Sequence, residues 1–290
     1  MWLTLALLTA VFTSCQDVLT KKILLKDRGD LYGITWGWWF FSLPFLWILV
    51  PFHKIPLIQP QFWKALAITS VLLVVAVIFY VNALSHGDLS LSVPMLAFTP
   101  VFMLVTSPYI LKEYANLLGV IGIFITVMGS YLLNFHDYRR GILKPFKDLW
   151  LRKGPRYMLI VAIIFSVSGN YDKIGILSSS FLIWLVFLHS VVTVILTGIL
   201  LFQGRSIPDL IRKKWRAFSC IGLFNALTGV SQAIAVQMSF VSYLIAVKRA
   251  SVIFTALYGF LFLKEKNMRE RLAGIILMVL GVLLIVVGKK

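Results

Sequence analysis

Apolar runs of about 20 residues, separated by short polar links, recur along the whole chain. Each run is long enough to cross about 30 Å of hydrocarbon as an α-helix. Backbone groups in lipid must be paired internally, which leaves helices or closed barrels as spanning forms. The runs do not alternate with the period of two that barrel strands need. The pattern therefore predicts an all-α integral membrane fold of ten transmembrane helices: Trp2–Leu24, Leu31–Phe52, Phe62–Ser85, Leu89–Leu111, Asn116–Phe135, Arg156–Leu177, Phe181–Phe202, Trp215–Met238, Phe240–Leu263 and Arg271–Val287. The longest link, His136 to Pro155, mixes Ile142, Leu143, Phe146, Leu149, Trp150 and Leu151 with basic residues. That mixture predicts a short amphipathic segment lying in the membrane interface.

Shifting the chain by 152 residues superposes its halves. Trp63-Lys64-Ala65 meets Trp215-Arg216-Ala217, and Leu111-Lys112-Glu113 meets Leu263-Lys264-Glu265. Gly122 and Gly129 meet Gly274 and Gly281; Lys21 meets Lys173, Ser90 meets Ser242 and Phe102 meets Phe254. The chain thus divides into a first five-helix repeat (1–137), an interfacial linker (138–155) and a second five-helix repeat (156–290). Five is odd, so the second repeat enters the membrane from the opposite side. Inverted repeats of this kind place a solute site around a central cavity at their interface, and rocking of the halves opens it to each face in turn.

Composition agrees. The chain is 60% hydrophobic and 13% charged, with a mean hydropathy of +0.91, far from a soluble domain. The net charge of +17 does not imply nucleic acid, because Lys and Arg sit in the links, as topology signals and headgroup contacts do. Cys15 and Cys220 lie within apolar runs and read as small buried residues, not as a disulfide or metal site. The first run lacks the basic start and cleavage site of a removed signal. No phosphate loop, metal-spaced His/Cys set or Ser-His-Asp order stands out. An enzyme, a cofactor and a nucleotide-driven pump are not expected.

Two halves that each close a fourth helix with Lys-Glu and follow it with a Gly-rich fifth (GVIGIFITVMGSYLL, RLAGIILMVLGVLLI) resemble the EamA-like branch of the drug/metabolite transporter superfamily. The resemblance covers essentially the whole chain. It implies a ten-helix basket with a central cavity, a small-molecule solute such as an amino acid, nucleotide sugar, organic phosphate or drug, and a bacterial inner (plasma) membrane. It also implies cytoplasmic termini, whereas the charge bias points the other way. The links and the span ends beside them on one face hold 20 Lys and Arg and those on the other six, Lys289 and Lys290 included, so the positive-inside rule sets the termini outside.

Lys248-Arg249 is the main candidate site. It lies roughly 12 Å into the ninth span, where each cation costs about 2.5–3.5 kcal/mol to insert. The segment VKRASVIF resembles the ninth helix of plastid phosphate translocators, where a Lys-Arg pair holds substrate phosphate. Carried over, Lys248 and Arg249 are anion ligands, Arg gripping with two parallel bonds and Lys adding a point charge. The alternatives are an internal ion pair with Asp17 or Asp172, or snorkelling to the interface. Ser251 and Thr255 follow Lys248 by three and seven residues and so share its stripe, with Tyr243 and Tyr258 at its ends. Asn225 and Gln232 share a face of the eighth span that suits a cavity wall.

Asp17 is a charge partner or a proton-coupling group. Asp172 and Lys173 read as near enough to the interface to be solvated. Glu113 and Glu265 read as interfacial pairs with Lys112 and Lys264. Asn82, Asn170, Gln237 and His189 fit interhelical hydrogen bonds, and Trp36, Trp38 and Trp39 fit interfacial or lipid-facing positions by default, with cavity lining as the alternative. Pro94 and Pro100 break or bend the fourth span, as a hinge or for packing alone. Gly122, Gly129, Gly274 and Gly281 allow close helix approach, either within one chain or in a homodimer through the fifth or tenth helices. The leading reading is a secondary carrier of a small anionic solute, an organic phosphate or carboxylate. The others are an exporter of amino acids or hydrophobic drugs, and a membrane scaffold or lipid-handling protein.

Overall fold

The computed structural model describes residues 1–26, 30–86, 92–134, 153–255 and 268–289, and among these there is helix and no strand. In chain order the helices are α1 (Trp2–Lys26), α2 (Leu31–Phe40), α3 (Leu43–Leu49), α4 (Pro60–His86), α5 (Thr99–Leu111), α6 (Leu117–Asn134), α7 (Lys153–Leu177), α8 (Phe181–Phe202), α9 (Ile207–Gln237), α10 (Val241–Lys248) and α11 (Met268–Gly288). Short 3-10 helices cover Val50–Phe52 and Val93–Phe98. Six segments are long and apolar enough to cross a membrane, and Met95–Leu111, Leu117–Leu132 and Leu272–Gly288 are shorter apolar helices. The chain is a multi-pass integral membrane protein. The expected ninth span is described only from Phe240 to Thr255. The interfacial linker up to residue 152, together with Tyr258, Lys264 and Glu265, lies outside the described residues.

Local chemistry sets the helix ends. The Asp30 carboxylate accepts from the Gly33 N–H and caps α2, Ser180 caps α8 through Ile183, and Ser206 caps α9 through Asp209. Such caps satisfy helix N–H groups that have no intrahelical acceptor. The second span is two helices rather than one. Pro44 lies in the first turn of α3 and cannot donate back to Phe40. The Ser42 hydroxyl instead donates to the Trp39 carbonyl.

Packing follows the repeat register. α4 lies along α7, and α1 lies along α9; exchanging the halves maps one contact onto the other. α6 and α11 cross closely along their glycine faces. A Cβ added to Gly122 would lie 2.7 Å from the Gly281 carbonyl, and one added to Gly129 would lie 2.7 Å from the Gly274 carbonyl. The register pairs Gly122 with Gly274 and Gly129 with Gly281, so the contacts are crosswise, as a twofold relation between antiparallel helices requires. The glycine faces are therefore used within the chain. The outer faces carry exposed Ile121, Phe124, Met128, Ile276, Leu280 and Leu283, suited to lipid.

Elsewhere the core is apolar and aromatic. It centres on buried Trp36, Phe62, Trp184 and Phe218. Trp36 does not face lipid as its position suggested; its indole N–H donates to Thr197 at 2.8 Å.

The two ends of the bundle are tied differently. At the end opposite the termini, Asp30 receives Arg205 and also Lys214, the latter at 3.3 Å. Asp30→Ala removes both the α2 cap and this link between halves. It is expected to lower stability by about 2 kcal/mol, read as a lower Tm of purified protein. Asp30→Asn keeps a cap oxygen and should lose less.

Candidate functional site

The ninth span is not a continuous helix. α10 ends at Lys248, Arg249 and Ala250 form a turn, and helical backbone resumes at Ser251. The Ala250 N–H donates to the Val247 carbonyl, Val252 to Arg249 and Ile253 to Ala250. These are three-residue bonds that tighten the chain and interrupt the four-residue ladder. By the 152-residue register this stretch superposes on the 3-10 helix Val93–Phe98 of the first repeat. There Pro94 lies in the first turn of the 3-10 helix, and Pro100 lies in the first turn of α5, where its missing N–H costs nothing. The second break forms without a proline, so its symmetric setting imposes it rather than local propensity. Both repeats thus carry a 3-10-like stretch at one place, and only the second carries charge there.

The interruption aims the basic pair. Lys248 Nζ donates to Gln232 Oε1 at 2.7 Å. Arg249 Nη2 donates to Thr99 Oγ1 at 2.8 Å, while the Thr99 hydroxyl donates to the Leu96 carbonyl at 2.7 Å. Thr99 and Ser251 are register partners, so Arg249 crosses from one break to the other. Arg249 Nε is buried without an acceptor.

Two carboxylates face these cations. Asp17 lies in electrostatic reach of Lys248 and Arg249, and Asp172 in reach of Lys248. Trp184 donates to Asp172, and Asp172 Oδ1 is buried without a partner. None of the four forms a salt bridge with another; the ion pairs among the described residues are Lys173–Glu113, Arg205–Asp30 and Lys214–Asp30. At about 1.5 Å per residue, and measured from the face that carries the termini, Asp172 lies roughly 8 Å deep, the basic pair roughly 12 Å and Asp17 roughly 22 Å. One acid thus stands on each side of the cations along the membrane normal. Tyr80 lies beside Asp17 and meets Trp38 edge-on, ring centroids 6.3 Å apart. The Trp38 and Trp39 indole N–H groups are buried without acceptors.

Other candidates go elsewhere. The expected stripe of Lys248, Ser251 and Thr255 assumed an unbroken helix. Ser251 is buried, and the Thr255 hydroxyl is hydrogen-bonded to Ser14 at 2.9 Å, tying this span to α1. Tyr243 is 1% exposed, packs on Gly119 and has its hydroxyl at Asn116, away from the basic pair. Asn225 donates to the Trp38 carbonyl at 2.8 Å. Asn170 binds Thr106 and Ser107 on α5. His189 meets Ser42 at 2.5 Å. Cys220 is exposed, not buried, and both cysteines are free.

Two expectations are corrected outright. Lys173 is not solvated at the interface; it is 8% exposed and pairs with Glu113 at 2.5 Å. Glu113 accordingly pairs across the halves rather than with Lys112. The reason is local: Lys112 ends α5 in the left-handed region, at φ 59°, and this turns Glu113 back toward the bundle. Sequence reasoning missed Thr99, Tyr80 and Trp184. The register could have found Thr99, since it superposes on the candidate Ser251.

The sequence matches the EamA-like transporter family over residues 1–135 and again over 152–287. No curated protein matches it. A solved crystal structure of a protein shares the fold, with a TM-score of 0.77 over 97% of this chain and 98% of the other, at 15% identity.

Proposed function

Because the chain belongs to the EamA-like transporter family, it is a membrane transporter of small solutes, and we propose that its solute carries a phosphate or carboxylate held by Lys248 and Arg249. One observation carries this reading. Two cations sit deep between the repeats and, among the described residues, make no contact ion pair and leave one guanidinium N–H without an acceptor. A buried donor left unmade costs about 1–3 kcal/mol, and a bound oxyanion would recover it. Thr99 takes up one N–H of Nη2 and leaves the Nε–H for an oxygen of the solute. In this reading the carrier works by alternating access in a bacterial inner membrane, without cofactor or chemical change to the solute.

A second reading is favoured by Asp17 and Asp172. Acids on both sides of the cations suit a solute that also carries an amine, as an amino-acid exporter would require. A thermal-shift series on purified protein separates the two. The probes are inorganic phosphate, glycerol 3-phosphate, succinate, leucine and tetramethylammonium. A ligand at 100 times its Kd stabilises by about 2.7 kcal/mol. Stabilisation by the phosphates or succinate, and none by tetramethylammonium, is expected. Stabilisation by leucine alone supports the second reading, and by tetramethylammonium alone overturns both.

A further inference from the structure

The Glu113 carboxylate joins three elements at the face that carries the termini. Oε1 accepts from Lys173 Nζ on α7 at 2.5 Å, and Oε2 accepts from the Val241 N–H, the first residue of α10, at 3.0 Å. Lys173 also donates to the Ser239 carbonyl at 2.7 Å. Glu113 belongs to the first repeat, and Lys173, Val241 and Ser239 belong to the second. The pair is nearly closed off, its side chains 10% and 11% exposed.

Both ends of this arrangement lead to the site. Val241 opens the same two-turn helix that ends at Lys248. Lys173 follows Asp172 in α7. The tie between α6 and α11 does not share this property. The α6–α11 crossing is backbone against backbone and cannot open without exposing apolar surface, so it suits a pivot. An ion pair at the edge of the bundle can exchange its partner for water.

We propose that Glu113 is a positioning residue for transport: a releasable clamp that closes the terminus-bearing face and holds α10, with its basic pair, against the first repeat. This rests on the alternating-access reading, not on the identity of the solute.

The test is thiol accessibility, which needs no solute. Cys15→Ser and Cys220→Ser give a background without reactive thiols. Ser242→Cys places a reporter one residue beneath the clamp, at a position 3% exposed. Thr126→Cys, 0% exposed in the α6–α11 crossing, is the control. The probe is N-ethylmaleimide. Adding Glu113→Gln should raise the labelling rate of the Ser242→Cys thiol at least tenfold and leave the Thr126→Cys thiol unlabelled. Lys173→Arg, which keeps charge and reach, should leave the reporter protected. If Glu113→Gln does not fold, Lys173→Gln asks the same question from the other partner. An unchanged reporter rate, or equal gains at both thiols, overturns the clamp. A clamp that opens in protein stabilised by neither phosphate nor succinate leaves the inference standing and sinks the anion reading.

Discussion

Arg249→Ala should weaken anion binding by about 10- to 100-fold and stop uptake, while the protein still folds. A hydrogen bond to a charged group contributes about 1.5–3 kcal/mol, and each 1.4 kcal/mol is about tenfold in affinity. Folding should survive because Arg249 has no contact ion pair to strand. Its bonded partner, the Thr99 hydroxyl, keeps its own bond to Leu96. Losing a desolvated cation also relieves an insertion cost. Arg249→Lys should fall between, since it keeps the charge but loses the planar fork. Phosphate and succinate titrations, followed by uptake into proteoliposomes, measure both. Uptake equal to wild type in Arg249→Ala would remove this residue from the site.

Gly129→Val should be the most damaging substitution outside the site. The added Cβ would sit 2.7 Å from both the Gly274 carbonyl and the Met278 backbone nitrogen. Backbone cannot change rotamer, so α6 and α11 must separate. Overpacking of this sort costs about 1–3 kcal/mol or more, and the symmetric contact at Gly122 would be strained with it. The control is Gly198→Ala. Nothing lies within 4 Å of that added Cβ, and alanine favours a helix interior over glycine by up to about 1 kcal/mol. A large fall in Tm for the first and no fall for the second is expected. Similar Tm values for both would mean that the crossing does not hold the halves together.

How far the sequence foretells this molecule differs by level. The helices and repeats are legible because lipid forces periodic, local rules on the chain, and because Gly122, Gly129, Gly274 and Gly281 repeat at one spacing. The interruption at Lys248–Ala250 is not legible, since no proline or glycine marks it and its cause is a tertiary setting. The Glu113–Lys173 pair is hidden for a related reason. A Lys-Glu dipeptide suggests a local pair, and only the left-handed turn at Lys112 sends Glu113 to a partner 60 residues away. Tyr243 misleads because polarity near a charge reads as a site residue, whereas its hydroxyl serves Asn116. The basic pair is legible by cost alone, since cations at that depth demand a reason.

α10 is short enough to change how motion is pictured in this bundle. It has eight residues, so its ends lie about 12 Å apart, and Val241 through Val247 are all buried. A two-turn rod so tightly cased has no length over which to bend. In the proposed clamp it would act as a lever, with load applied at one tip and delivered at the other. A cavity-forming change at its middle, such as Leu244→Ala, would then be felt at both tips at once, as slack in the mechanism rather than as loss of any contact with solute.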